Sequence, residues 1–163
     1  RSESLIRTLE KNADAALSAD PDVMEELVYQ SVRIKADIVE TDEREKGERR
    51  KLNFGHTFAH AFENMTEIMH GEAVSMGMVL ASRLSVALGY LPEKDAIRLE
   101  SLLERLQLPV KPAADVEQAL APMKKDKKRE GDSLHMVLLK NIGEAVIEKI
   151  TYKKLEGLLH DLR

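Results

Sequence analysis

Apolar residues recur at three- and four-residue steps over most of this chain, the signature of amphipathic helices. Leu5, Ile6, Leu9, Ala13, Ala16 and Leu17 make a first stripe, predicting a helix over residues 4–17. Asp20 followed by Pro21 supplies a cap and a first-turn proline for a second helix. Its inward stripe runs through Met24, Leu27, Val28, Ser31, Ile34 and Ile38, and Lys35 falls inside it, one turn after Ser31. Two readings of that lysine stand: its stem packs while the ammonium reaches solvent, or the cation is aimed into a site.

Residues 41–47 are acidic and end in glycine, so a break precedes the next helix, which starts at Arg49 or at Asn53. On one α-helix, Arg49, Asn53, His56, His60 and Glu63 fall within a sector of roughly 80°. Leu52, Phe54, Phe58, Ala61 and Phe62 are left to bury around that polar seam. After a short connection, Asn64 to Met69, the segment starting HGEAVSMGMVLASRLSVALG is apolar on nearly every side, with small residues interspersed. It predicts a buried central helix closed by Gly89 and stopped before Pro92.

Residues 93–106 carry Ile97, Leu99, Leu102, Leu103 and Leu106 on a further stripe, and a shorter helix from Val116 to Ala121 meets Pro122. The run Lys124 to Arg129 is strongly basic, either a solvated face or an anion-capturing segment. LHMVLLKNIGEAVIEKI places β-branched residues on both sides of an Asn-Ile-Gly turn, the one credible hairpin. Tyr152, Leu155, Leu158, Leu159 and Leu162 form a last helical stripe. The expected fold is mainly α with one small β-hairpin, a single helical domain over residues 1–163.

Composition narrows the function. With 163 residues and 43% hydrophobic content, the chain can bury one substantial core. A net charge of −4 provides no global basic field for nucleic acid or anionic lipid. No apolar run reaches bilayer length, and the N-terminus lacks the charged and apolar regions of a signal peptide, so a cytoplasmic protein is expected. The chain contains no cysteine, which excludes disulfides and thiolate metal sites and leaves imidazole and carboxylate as the strong ligands. It begins without methionine and already in helical pattern, as a piece of a longer protein does.

The candidate chemistry lies between Glu45 and Glu72. His56 and His60 are four apart, so one helix face can offer both imidazoles to a metal. Thr57 follows His56 where a zinc-protease helix carries its glutamate base, so that activity is excluded. A bare pair of this kind is more often structural than ligating. His70 changes that balance, because it stands at the mouth of the buried helix, where backbone donors and the positive dipole end suit an anionic group.

The string R-x3-N-F-G-H-T-x2-H-A-x-E from Arg49 to Glu63, followed by H-G-E-A-V-x2-G-M from His70 to Met78, resembles the 3-dehydroquinate synthase family. The flanks IKADIVETDEREKGERR and M-x2-DKK…G…VLL…IG, from Met123 to Gly143, extend the resemblance over nearly the whole chain. It implies the helical C-terminal domain of the dehydroquinate synthase-like fold, and a metal- and NAD-dependent lyase of the shikimate pathway. That activity converts 3-deoxy-arabino-heptulosonate 7-phosphate to 3-dehydroquinate and phosphate, with NAD as transient hydride acceptor.

By motif, the resemblance implies that His56 and His70 are ligands of zinc or another divalent metal such as cobalt, with His60 beside the substrate. Lys35, Arg49, Asn53 and one of Lys127 and Lys128 would hold its hydroxyl, carboxylate or phosphate groups. The family's third ligand, a glutamate in an E-x-I-K helix, and its NAD-binding α/β domain would both lie upstream of Arg1. The segment between His56 and His70 is also a few residues shorter than the family pattern. The chain alone is therefore expected to lack NAD binding and turnover, with the whole enzyme a homodimer. The alternatives are another sugar-phosphate cyclase, a metal-dependent alcohol or glycerol dehydrogenase domain, or a non-catalytic helical oligomerisation module.

Overall fold

The computed structural model describes residues 2–44, 47–112, 116–125 and 131–162, leaving aside the side chains at 117, 122, 124 and 125. Helices α1 (Glu3–Leu17) and α2 (Pro21–Thr41) form a helical hairpin. The Ser2 hydroxyl accepts from the Leu5 N–H, and the Asp20 carboxylate from the Val23 N–H, so each helix starts on a side-chain cap. A 3-10 segment (Glu48–Asn53) leads into α3 (His56–Glu63), then α4 (His70–Ala87), α5 (Glu93–Arg105) and α6 (Val116–Lys125). Strands β1 (Ser133–Asn141) and β2 (Glu144–Thr151) pair antiparallel, from Ser133 opposite Thr151 to Leu139 opposite Ala145. Gly143, at φ 99°, closes their turn in the left-handed region, and α7 (Tyr152–Asp161) follows directly on β2. Mainly α with one hairpin, the fold is the one the sequence pattern predicts. No helix among the described residues is long and apolar enough to cross a membrane.

Helix α4 belongs to two cores, as its all-round apolar pattern requires. On one side Met76, Leu80 and Leu84 meet Phe58 and Phe62 of α3, Leu120 of α6, Met136 and Leu138 of β1, and Leu155 of α7. On the other, Val79 joins Leu99 and Leu103 of α5 with Leu139 and Ile142 of the hairpin. The buried Ser85 ties α4 to the hairpin, donating to the Ala81 carbonyl at 2.6 Å and accepting the Leu139 N–H at 3.0 Å. Between α3 and α4 the backbones touch: a Cβ added at Gly77 would lie 2.1 Å from the Gly55 carbonyl oxygen. Gly55 itself sits at φ 85°, against the backbone of Val74 and Met78.

Four expectations need correction. The polar seam from Arg49 to Glu63 is not one α-helix, because Gly55 in the left-handed region separates the 3-10 segment from α3. The α2 stripe is only partly inward: Ile38 is buried, whereas Met24, Val28, Ser31 and Lys35 are exposed. Among the described residues, helix α2 packs mainly on α1 and the 3-10 segment, a contact narrower than its apolar stripe. Ile97 is likewise exposed on α5, beside the buried Leu99, Leu102 and Leu103. Position 122 lies inside α6 rather than ending it, since Ala119 and Leu120 are buried and the Tyr152 hydroxyl bonds the Met123 carbonyl at 2.9 Å.

Candidate metal and substrate site

Three histidines converge where α3 turns into α4. His56 opens α3, His60 lies one turn on, and His70 opens α4. Their meeting depends on the Gly55–Gly77 contact, which lets the two helices approach to backbone distance. Ring centroids are 5.3 Å apart for His56 and His70, 5.8 Å for His56 and His60, and 6.5 Å for His60 and His70. A ligating imidazole centroid stands ~3.2 Å from a zinc ion, so two on one tetrahedral ion are about 5.2 Å apart. The His56–His70 pair has that spacing, and the His60–His70 pair is too far apart to share an ion.

Hydrogen bonds at the Nδ1 atoms are consistent with that pairing. His70 Nδ1 lies 2.8 Å from the Glu63 carboxylate, and His56 Nδ1 lies 3.4 Å from the Phe54 carbonyl. The Glu63 carboxylate only accepts, so His70 Nδ1 carries a proton, whereas the His56 contact is too long to fix a tautomer. A neutral imidazole held at Nδ1 in this way can present Nε2 to a divalent metal. Among the described residues no set of three or more histidine, aspartate or glutamate side chains is arranged to hold a metal ion.

The other polar candidates are held in different ways. The Asp42 carboxylate accepts the N–H groups of Gly47 at 2.7 Å and Arg49 at 3.1 Å, fixing the start of the 3-10 segment. The Arg49 guanidinium donates to the Glu43 carbonyl at 2.8 Å. Asn53 is exposed at the end of that segment, and Lys35 is exposed on α2 rather than lying within an inward stripe. Lys127 and Lys128 lie outside the described residues. The sequence reading missed the structural part of Asp42, taken only as one of an acidic break, and the Glu63–His70 bond. Glu63 stood in the polar seam, but nothing in helical periodicity joins it to a residue beyond the next loop. A groove of about 280 Å³ between α1 and α2, lined by Ser2, Tyr29, Arg33 and Asp37 among others, includes none of the histidines.

Solved structures share this architecture. A 2-epi-5-epi-valiolone synthase from Streptomyces hygroscopicus subsp. jinggangensis 5008, with NAD+ and Zn2+ bound, matches 97% of this chain and 46% of its own at TM-score 0.79 and 28% identity. A 2-deoxy-scyllo-inosose synthase complexed with carbaglucose-6-phosphate, NAD+ and Co2+ matches 86% of this chain and 42% of its own at TM-score 0.73, and at 22% identity the likeness is one of fold. The fold is thus that of the helical domain of dehydroquinate synthase-like cyclases. In sequence, residues 1–129 match the 3-dehydroquinate synthase C-terminal family, and the 3-dehydroquinate synthase of Halorhodospira halophila is 46% identical over 143 residues, 85% of this chain and 40% of that protein. The chain belongs to the 3-dehydroquinate synthase family, as its C-terminal domain. It spans less than half the length of the curated relatives it matches.

Proposed function

We propose that this chain is the metal- and substrate-holding part of a cytoplasmic, homodimeric 3-dehydroquinate synthase, which converts 3-deoxy-arabino-heptulosonate 7-phosphate to 3-dehydroquinate and phosphate. The observation that carries the reading is the 5.3 Å separation of His56 and His70, within a motif that runs from Arg49 to Met78. The greater identity to a 3-dehydroquinate synthase than to the valiolone synthase favours this substrate over that of another cyclase.

In this reading His56 and His70 are two of the ligands of a zinc or cobalt ion. When bound, the metal polarises substrate oxygens and NAD accepts and returns a hydride. The chain's own residues bind and orient. Arg49, whose N–H groups form a planar fork, suits a carboxylate or phosphate, and Lys35 adds a point charge from α2. Asn53 can donate to and accept from hydroxyl groups, and His60, one turn from His56, is placed to hold or pass a proton at the substrate. Lys127 or Lys128 adds a further cation. In this reading the third metal ligand, a glutamate of an E-x-I-K helix, and the NAD-binding α/β domain both lie upstream of Arg1, so the 163-residue chain alone gives no turnover.

Metal content after dialysis tests the site. His56→Ala and His70→Ala should each lose most of the bound zinc while His60→Ala keeps it; unchanged metal in the first two overturns the ligand assignment. Phosphate release from 3-deoxy-arabino-heptulosonate 7-phosphate, assayed with NAD and zinc, tests the reaction. It is expected from a polypeptide that joins this chain to the α/β domain and absent from the chain alone, and release by the chain alone refutes the division of labour.

A further inference from the structure

Glu63 is the last residue of α3, and an acidic side chain there faces the negative end of its own helix dipole. Helix stability therefore does not account for it. Its carboxylate instead reaches across the loop of residues 64–69 to His70, the first residue of α4, at 2.8 Å. The loop is held independently: the Asn64 N–H bonds the His60 carbonyl, and the Thr66 hydroxyl and N–H both bond the Phe62 carbonyl. The corner has its own closures without the Glu63–His70 hydrogen bond.

The two imidazole nitrogens point in widely divergent directions, so a carboxylate engaged at Nδ1 stands behind the ring and cannot coordinate the ion that Nε2 faces. It can select the tautomer and fix the ring's rotation. The contrast with His56 is informative. That ring's Nδ1 has a backbone carbonyl at 3.4 Å, beyond good hydrogen-bond length, whereas His70, whose side chain is 57% exposed, has a short bond to an anion. The more exposed ring carries the stronger restraint.

We infer that Glu63 is the positioning residue of the metal centre: by accepting from His70 Nδ1 it holds that imidazole in the Nδ1–H tautomer with Nε2 turned to the ion. This rests on His70 being a metal ligand, but the hydrogen bond can be tested without metal. In the metal-free 163-residue chain, long-range nitrogen–proton NMR of the His70 ring, assigned by its absence in His70→Gln, should show the Nδ1–H tautomer. Glu63→Ala should shift it to the Nε2–H form that predominates in water.

Zinc affinity, measured by chelator competition, should weaken about 10–100-fold in Glu63→Ala. Glu63→Gln, whose amide oxygen can still accept, should lose less. An unchanged tautomer in Glu63→Ala overturns the inference, as does an altered tautomer with wild-type zinc affinity where His70→Ala loses zinc. A lower melting temperature with tautomer and affinity intact makes Glu63 a corner clamp, which also overturns it. If His70→Ala binds zinc as the wild type does, the ligand assignment fails, whatever the tautomer result.

Discussion

Some ion pairs in this chain act between elements distant in sequence. Arg98 of α5 grips the Glu10 carboxylate of α1 through Nε at 2.6 Å and Nη2 at 2.8 Å. The Arg98 hydrogen bond holds the Glu10 carboxyl below its ordinary value of 4.5, against a partial burial that would raise it, and Glu10 in turn raises the guanidinium. A depressed carboxyl stabilises the fold above its unfolded pKa and loses that contribution as pH falls through the folded value. Stability should therefore decline on acidification below about pH 4.5, and Glu10→Gln should remove part of that decline. Because both side chains are about a third exposed, the loss in Glu10→Gln at neutral pH should be about 1 kcal/mol or less, read from urea melts at pH 7 and pH 3.

At the scale of elements, docking is decided by buried polar atoms as much as by apolar stripes. Ser85→Ala would leave the buried Leu139 N–H without its acceptor, and should cost about 1–3 kcal/mol in denaturant melts, with the hairpin loosened from α4. The sequence made the helices and hairpin legible because each carries its own periodicity or turn residues. Helix α4 was the plainest, apolar on nearly every side and buried through most of its middle. Legibility stopped where one element's conformation depends on another. Gly55 looked like an ordinary position in a helical run, yet its approach to α4 breaks that run and sets Arg49 and Asn53 apart from the histidine helix. The helix through position 122 is held by the packing of Ala119 and Leu120 and by a Tyr152 hydroxyl from α7, which no local signal encodes. Of the candidate site, the histidine spacing was readable, and the carboxylate behind His70 was not.

Across the whole molecule, stability is unevenly distributed. Helix α4 anchors both cores, whereas the α1–α2 hairpin contributes only Ala13 and Ile38 to the buried set, and Val28, Tyr29 and Val32 of α2 are more than half exposed. Amide exchange should therefore open α2 well before α4, with protection in the middle of α4 approaching that of global unfolding; equal protection in the two helices would contradict this distribution. The proposed site straddles that gradient. Its histidines stand on the firm part and Lys35 on the loose part, so the metal pocket should keep its shape while the cation on α2 moves. The Gly55–Gly77 contact has a consequence over evolutionary time. Because the spacing of the histidines is set by two backbones in contact and not by the side chains around them, residues such as Met76, Leu80 and Phe58 can be exchanged for others of similar volume, and the core can drift while the site keeps its dimensions.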